Sequence, residues 1–358
     1  MIGYIGCEGL ITFQPFRFQI PEFKAYRLGN ALKTFSNPAP PAVVQILPLN
    51  YHELIKATEK DGASANIYQY IAADFHSDHW HRHAFLKVKF HGSGWAMREI
   101  GSIDLFFDAL RIFTGASITE GKGYQFSPIK GPYKPNHLPG MGMFTDHPKL
   151  GVRKIFELTK NVADKFRIFL KYYSLLRERV LSDVDLSISH RYFERACSFP
   201  NAPPPEDQIL FLTISLEALF SPSEQYELSH RVAEHVAFFL GASSGEVNRI
   251  YKLVKKAYDI RSKVAHGSFK DFRGANLSQD FLPELDHLVR ESIVGIADLR
   301  MRGQFPNKQN LTDSLDEKAR GLTVLSVPLR KRRTIQSKSP NSDRVVEWLN
   351  WVNAKTTS

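Results

Sequence analysis

Apolar and polar residues alternate only in short stretches over the first 145 positions. Leu10 to Ile20 and Ala84 to Phe90 show partial period-two alternation, which predicts strands. Ser102 to Phe113 instead carries apolar residues at 105, 106, 109, 110 and 113, a helical spacing, and Gly115 is placed to end that helix. Proline clusters from Pro38 to Pro41 and from Pro128 to Pro139 break both patterns. Residues 1–145 therefore read as an α+β recognition or sensor domain with long loops.

From Gly151 the period becomes helical and holds almost to residue 302. Phe156, Val162, Ala163, Phe166, Phe169, Leu170, Tyr173 and Leu176 fall near one stripe of a long helix, with Lys, Arg and Glu between them. Ile188 to Cys197 reads as a shorter helix that ends before Pro200, so residues 146–205 form a helical connector. The block 206–303 is clearly punctuated. Asp207 to Phe220 is a strongly apolar helix. Ser221, Pro222 and Glu224 stand as cap, first helical residue and capping-box acid of a second helix running to Gly241. Ser243 and Glu246 repeat the box before a third, which runs through His266 and stops at Gly267. Asp280 to Arg302 is the fourth, with Pro283 tolerable because it falls in the first turn. Short connections between four helices predict an antiparallel bundle. Residues 304–358 lose the period and read as a basic tail, with a short amphipathic helix at Asp343 to Val352. The predicted fold class is α+β: a mixed α/β N-terminal region followed by a mainly helical four-helix bundle.

Composition narrows the class. At 358 residues, 43% hydrophobic and 12% aromatic, the chain is long enough for about two domains and too apolar to be disordered. No apolar run approaches the roughly 18–20 residues that span a bilayer, so no membrane partner is expected. Met1 to Leu10 lack the basic patch and apolar stretch of a secretory signal. The two cysteines, Cys7 and Cys197, are far apart, which excludes a disulfide scaffold or thiolate zinc finger and fits a reducing cytoplasm.

The chain carries 47 Lys+Arg against 37 Asp+Glu, a net charge of +10, and a basic surplus most often means nucleic acid. Residues 301–358 carry 11 basic and 5 acidic residues, +6 of that total, with Arg330 to Arg333 among them. The segment 151–300 is nearly neutral, yet between Arg249 and Arg273 it holds Arg249, Lys252, Lys255, Lys256, Arg261, Lys263, Lys270 and Arg273 against only Asp259 and Asp271. This concentration suits a phosphate backbone.

Inside that stretch lies Tyr258-Asp-Ile-Arg261-Ser-Lys-Val-Ala-His266-Gly267, with Arg261 and His266 at R-x4-H spacing. Histidine titrates near neutrality and serves as acid or base, while a guanidinium is permanently charged and grips phosphate oxygens. The helix C-terminus favours the charged imidazole. On an ideal helix the two residues sit about 140° apart, which argues against one narrow pocket and for a cleft shared by two copies.

Together with Leu216-Glu-Ala-Leu-Phe-Ser-Pro-Ser-Glu224, Glu227-Leu-Ser-His-Arg-Val-Ala233 and Phe238-Phe-Leu-Gly241, this motif resembles the ApeA-like HEPN domain over about residues 186–303. The resemblance implies a four-helix bundle, often dimeric, and a metal-independent endoribonuclease of the kind found in bacterial anti-phage defence. It makes Arg261 and His266 the catalytic pair. Around them, Lys255, Lys256, Ser262, Lys263 and Arg273 are the expected RNA contacts, with no cofactor or metal. Ser262 stands where active members of the wider superfamily usually carry Asn, Asp or His, and it favours the rival expectation of a non-catalytic RNA-binding or protein-interaction module.

Plainer roles exist for the same residues. Arg261 can be a surface ion pair and His266 a helix-end cap. Glu217 and Arg231 read most simply as an ion pair orienting two helices, with a supporting role in the site as the alternative. His230 and His235 read as helix-surface residues. His76, His79, His81, His83 and His91 cluster, and on a strand His79, His81 and His83 would share a face able to bind zinc; a solvated polar face is the simpler reading. Phe106 and Phe107 belong to a core helix.

Overall fold

The computed structural model describes residues 2–8, 10–12, 14–20, 23–24, 38–39, 42–47, 84–89, 97–115, 118–126, 156–198, 204–222, 227–266 and 280–321. The histidine cluster at 76–91, Glu224, Gly267, Lys270, Arg273, Arg330 to Arg333 and the expected helix at 343–352 lie outside them. The chain divides into two compact units, Met1–Ser174 with Pro200–Ala202 and Leu175–Phe199 with Pro203–Ser358.

Among the described residues, the first unit holds nine strands: β1 (Ile2–Glu8), β2 (Leu10–Ile11), β3 (Phe16–Ile20), β4 (Phe23–Lys24), β5 (Pro38–Ala39), β6 (Ala42–Leu47), β7 (Ala84–Lys89), β8 (Thr119–Phe126) and β9 (Phe156–Glu157). Five form one sheet in the order β3-β6-β7-β1-β8, with every neighbouring pair antiparallel. Alternation buries Phe16, Phe18 and Ile20 while Arg17 and Gln19 stay exposed. Val44 and Ile46 of β6 and Leu86 and Val88 of β7 are buried as well.

Helix α1 (Met97–Thr114) supplies the apolar partner, with Phe106, Phe107 and Phe113 wholly buried. The ring of Phe18 lies 5.5 Å from Phe106 and 5.3 Å from Phe166, the latter on helix α2 (Lys160–Ser182). Each such ring contributes about 1.5–3 kcal/mol by burial. Gly115 follows α1 at φ +62°, the left-handed turn expected of it.

The strand expected over Leu10 to Ile20 is two strands. Between them the Thr12 hydroxyl donates to the Gln14 carbonyl at 2.7 Å, and Pro15 has no N–H to give a ladder.

The second unit is helical: the end of α2, then α3 (Val184–Ser198), α4 (Pro205–Phe220), α5 (Leu228–Leu240), α6 (Ser244–Ala265), α7 (Phe281–Met301) and α8 (Lys308–Ala319). Helices α4 to α7 each pack on the other three, and α4 also meets α3 and α8. That central place explains why α4 is apolar nearly all round, with Ile209, Leu212, Leu216, Leu219 and Phe220 buried. Arg300, near the end of α7, ties down the start of α3 through Asp185 and Asp183.

Two expectations change here. Ser221 and Pro222 do not begin a helix: Ser221 is extended at φ −66°, ψ 128°, and α5 starts only after Glu227, itself left-handed at φ 52°. Residues 308–319 are helical, although the sequence past 303 shows no apolar period. Among the described residues, no helix is long and apolar enough to cross a membrane. The architecture is α+β, a sheet-based unit and a helical one.

Candidate active site

Helix α6 positions the central residues, and both its ends are fixed locally. At the start, the Ser243 hydroxyl accepts from the Glu246 N–H, and the Glu246 carboxylate accepts from the Ala242 N–H at 2.8 Å. At the finish, His266 is the C-cap at φ −92°, ψ 9°, its N–H bonded to the Ser262 carbonyl. In between, Ile250, Leu253, Val254, Ala257, Tyr258 and Ile260 form the buried stripe. Arg261 lies half-buried beside that stripe, while Ser262, Lys263 and His266 are exposed or nearly so.

An open hollow of about 580 Å³ lies at this end of the helix. Tyr258, Asp259, Arg261, Ser262 and His266 of α6 line it, and the rest of its wall is Ala265, Leu210 of α4 and Leu228 and Ser229 of α5. Arg261 and His266 therefore reach one surface within a single chain.

Arg261 is held from behind by Glu217 of α4, with Nη1 2.5 Å from Oε1. This corrects the expected Glu217–Arg231 pairing: Arg231 pairs with Asp316 of α8 instead. Burial raises the Glu217 carboxyl above its usual range, and the nearby Arg261 charge only partly counters it. Tyr258 completes the group. Its ring centroid is 5.7 Å from the guanidinium carbon. Its hydroxyl is buried without a well-formed hydrogen bond although it adjoins Glu217. Burial, then the Glu217 charge, pushes the phenol far above its ordinary range.

The other expected RNA contacts divide. Lys255 does not line the hollow but donates at 3.0 Å to the Oγ of Ser229, which does. Lys256 turns to α7, its ammonium 5.2 Å from the Phe281 ring centroid. Lys263 is exposed and does not line the hollow. The surplus positive charge is trimmed as well, since Arg249 pairs with Glu284 at 3.0 Å and Asp259 stands in the wall.

Tyr258 was within reach of sequence reasoning, because three residues before Arg261 is the same helix face. His230 and His235 differ from the expected surface placement. His230 is half-buried and bonded to the Tyr251 hydroxyl at 2.7 Å. His235 is fully buried between the Phe220 carbonyl and Asp316.

A larger hollow of about 780 Å³ runs along α5 and α6, lined in part by His230, Phe238, Tyr251 and Lys318. Its lysine is already engaged in holding the fold, since Lys318 donates to the Phe238 carbonyl, in the last turn of α5, at 2.6 Å. The smaller hollow is the one lined by both Arg261 and His266. Comparison of the chain with protein-family models, with curated proteins and with solved structures finds no match.

Proposed function

We propose that the helical unit is a HEPN-type bundle and that the protein is a metal-independent endoribonuclease working at the Arg261–His266 hollow. The observation that carries this reading is the convergence of Arg261, Ser262 and His266 on one open surface, with a lysine-bonded serine in the same wall. In the reaction the ribose 2′-oxygen attacks the adjacent phosphorus and the bond to the 5′-oxygen breaks, leaving a 2′,3′-cyclic phosphate and a 5′-hydroxyl. One proton leaves the 2′-hydroxyl and one reaches the departing 5′-oxygen. His266 is exposed and suited to either transfer. Arg261 keeps guanidinium N–H groups beyond the one given to Glu217, and these balance charge on the phosphorane oxygens. Among the described residues the hollow contains one histidine, so a second copy in a homodimer supplies the other transfer. A role in anti-phage defence follows from the resemblance alone.

His266→Ala is expected to lower cleavage of a single-stranded RNA by about 10²-fold or more, with RNA affinity and oligomeric state retained. Undiminished cleavage by that variant, or complete inhibition by EDTA, would overturn the mechanism. Ser262, exposed in the wall, favours the second reading, a module that binds RNA without cutting it. Salt-dependent binding with no cleavage at any enzyme concentration would select it.

A further inference from the structure

The Glu217–Arg261–Tyr258 group contains an imbalance. The carboxylate has a charged partner, yet the phenol beside it is buried with no good acceptor geometry. A buried hydroxyl set this poorly on its neighbouring acceptor, Glu217, calls for an explanation, because leaving a buried hydroxyl wholly unpaired costs about 1–3 kcal/mol. The arrangement makes sense if a second state exists in which the same hydroxyl is used.

We infer that Glu217 is an internal stand-in for the substrate phosphate: it occupies Arg261 in the empty protein and releases it when RNA enters, and Tyr258 then donates to the vacated carboxylate. This rests on the reading of the hollow as an RNA phosphate site. Three features of the geometry support it. Arg261 lines the hollow, whereas Glu217 is not part of its wall, so the guanidinium has an acceptor behind it and an open space before it. The Arg261 side chain is 30% exposed and Glu217 only 15%, so the arginine is the partner with room to turn. Tyr258 and Arg261 stand three residues apart on one helix, which puts the waiting donor on the face that the guanidinium leaves. Glu217 is thus a positioning residue that sets how readily Arg261 meets a phosphate.

The test is equilibrium binding of a single-stranded oligonucleotide with 2′-fluoro riboses, which lacks the attacking hydroxyl and is not cleaved. Glu217→Gln is expected to bind roughly tenfold more tightly than wild type, the scale of one charge-assisted hydrogen bond. The slope of its log affinity against log salt should match wild type, because Arg261 engages the same phosphate in both complexes. Tyr258→Phe should bind roughly threefold more weakly, and this loss should vanish in the Glu217→Gln background, where no carboxylate needs the donor. Equal or weaker binding by Glu217→Gln, or a Tyr258→Phe effect that persists in the double variant, overturns the inference while leaving the nuclease reading intact. Circular dichroism checks folding, and Tyr258→Phe decides alone if Glu217→Gln does not fold. Failure of the wild type to bind the oligonucleotide would instead remove the RNA reading itself.

Discussion

Two carboxylates in the helical unit each hold an arginine, and they are satisfied to different degrees. Asp316 uses one oxygen for Arg231 and the other for His235 Nε2 at 2.8 Å, and the second ring nitrogen lies 2.8 Å from the Phe220 carbonyl. Both ring nitrogens therefore have a partner. The set joins α8, α5 and the end of α4. Glu217 also meets an arginine, but burial disfavours its charge and the neighbouring Tyr258 hydroxyl approaches it in poor hydrogen-bond geometry. A fully paired network fixes one arrangement, whereas a partly paired one beside an open wall leaves a second within reach. The contrast separates a closed network from one that adjoins an open hollow within one helical unit.

The largest expected effect falls on the closed network. Asp316→Ala strips the acceptor from a wholly buried histidine and from Arg231, and should cost about 3–5 kcal/mol, as breaking a buried pair does. Urea unfolding followed by circular dichroism measures it. A loss under about 1 kcal/mol would erase the distinction between the two networks.

A middle-sized effect belongs to the turn that joins α5 to α6. Gly241 has an ordinary φ of −68°, so its need is for space: a Cβ there would lie 2.5 Å from Val247 Cγ2 and 2.7 Å from the Ala237 carbonyl oxygen. Gly241→Ala should therefore destabilise by about 1–3 kcal/mol through overpacking. Cleavage per folded molecule should stay unchanged, because Gly241 is not in the wall of the Arg261 hollow. A specific activity that falls with stability intact would couple the turn to the open hollow.

Local chemistry was legible in the sequence where one residue type has one job. Ser243 with Glu246, Pro283 in a first turn and Gly115 after α1 all mark real helix ends. The buried stripe of α2 shows from Val162 to Leu176, although Phe156, read with it, belongs to β9 and precedes the helix. Features that depend on assembly did not show. Strands β1 and β8 lie side by side in the sheet, yet Gly3, Gly6, Gly121 and Gly123 erase their alternation. Helix α8 buries only Leu311, Thr312 and Leu315 and is held by Asp316 and Lys318, so no apolar period announces it, although Asn307 caps its start. Arg261 and His266 stood out in the sequence as a pair, but the partner of Glu217 could not be chosen. Arg231 and Arg261 are alike as residue types, and only the packing of α4 against α6 and of α8 against α5 assigns one carboxylate to each.

The smallest effect sharpens the comparison most, because it varies with pH. A carboxyl raised in the folded state binds its proton more tightly there than in the unfolded chain, so its contribution to stability is full below the ordinary value of 4.5 and is lost as pH climbs through the raised one. Glu217→Gln has no such proton. Relative to that variant, wild type should be most stable near pH 4 and lose ground as pH rises above 4.5, reaching a constant difference once the carboxyl is ionised. At neutral pH the variant should lie within about 1 kcal/mol of wild type, since the half-exposed Arg261 can turn to water. Paired urea titrations between pH 4 and pH 8 read the difference directly. A gap that is flat with pH, or that widens in favour of wild type, would mean that Arg261 satisfies Glu217 as fully as Arg231 and His235 satisfy Asp316, and the two networks would then be of one kind.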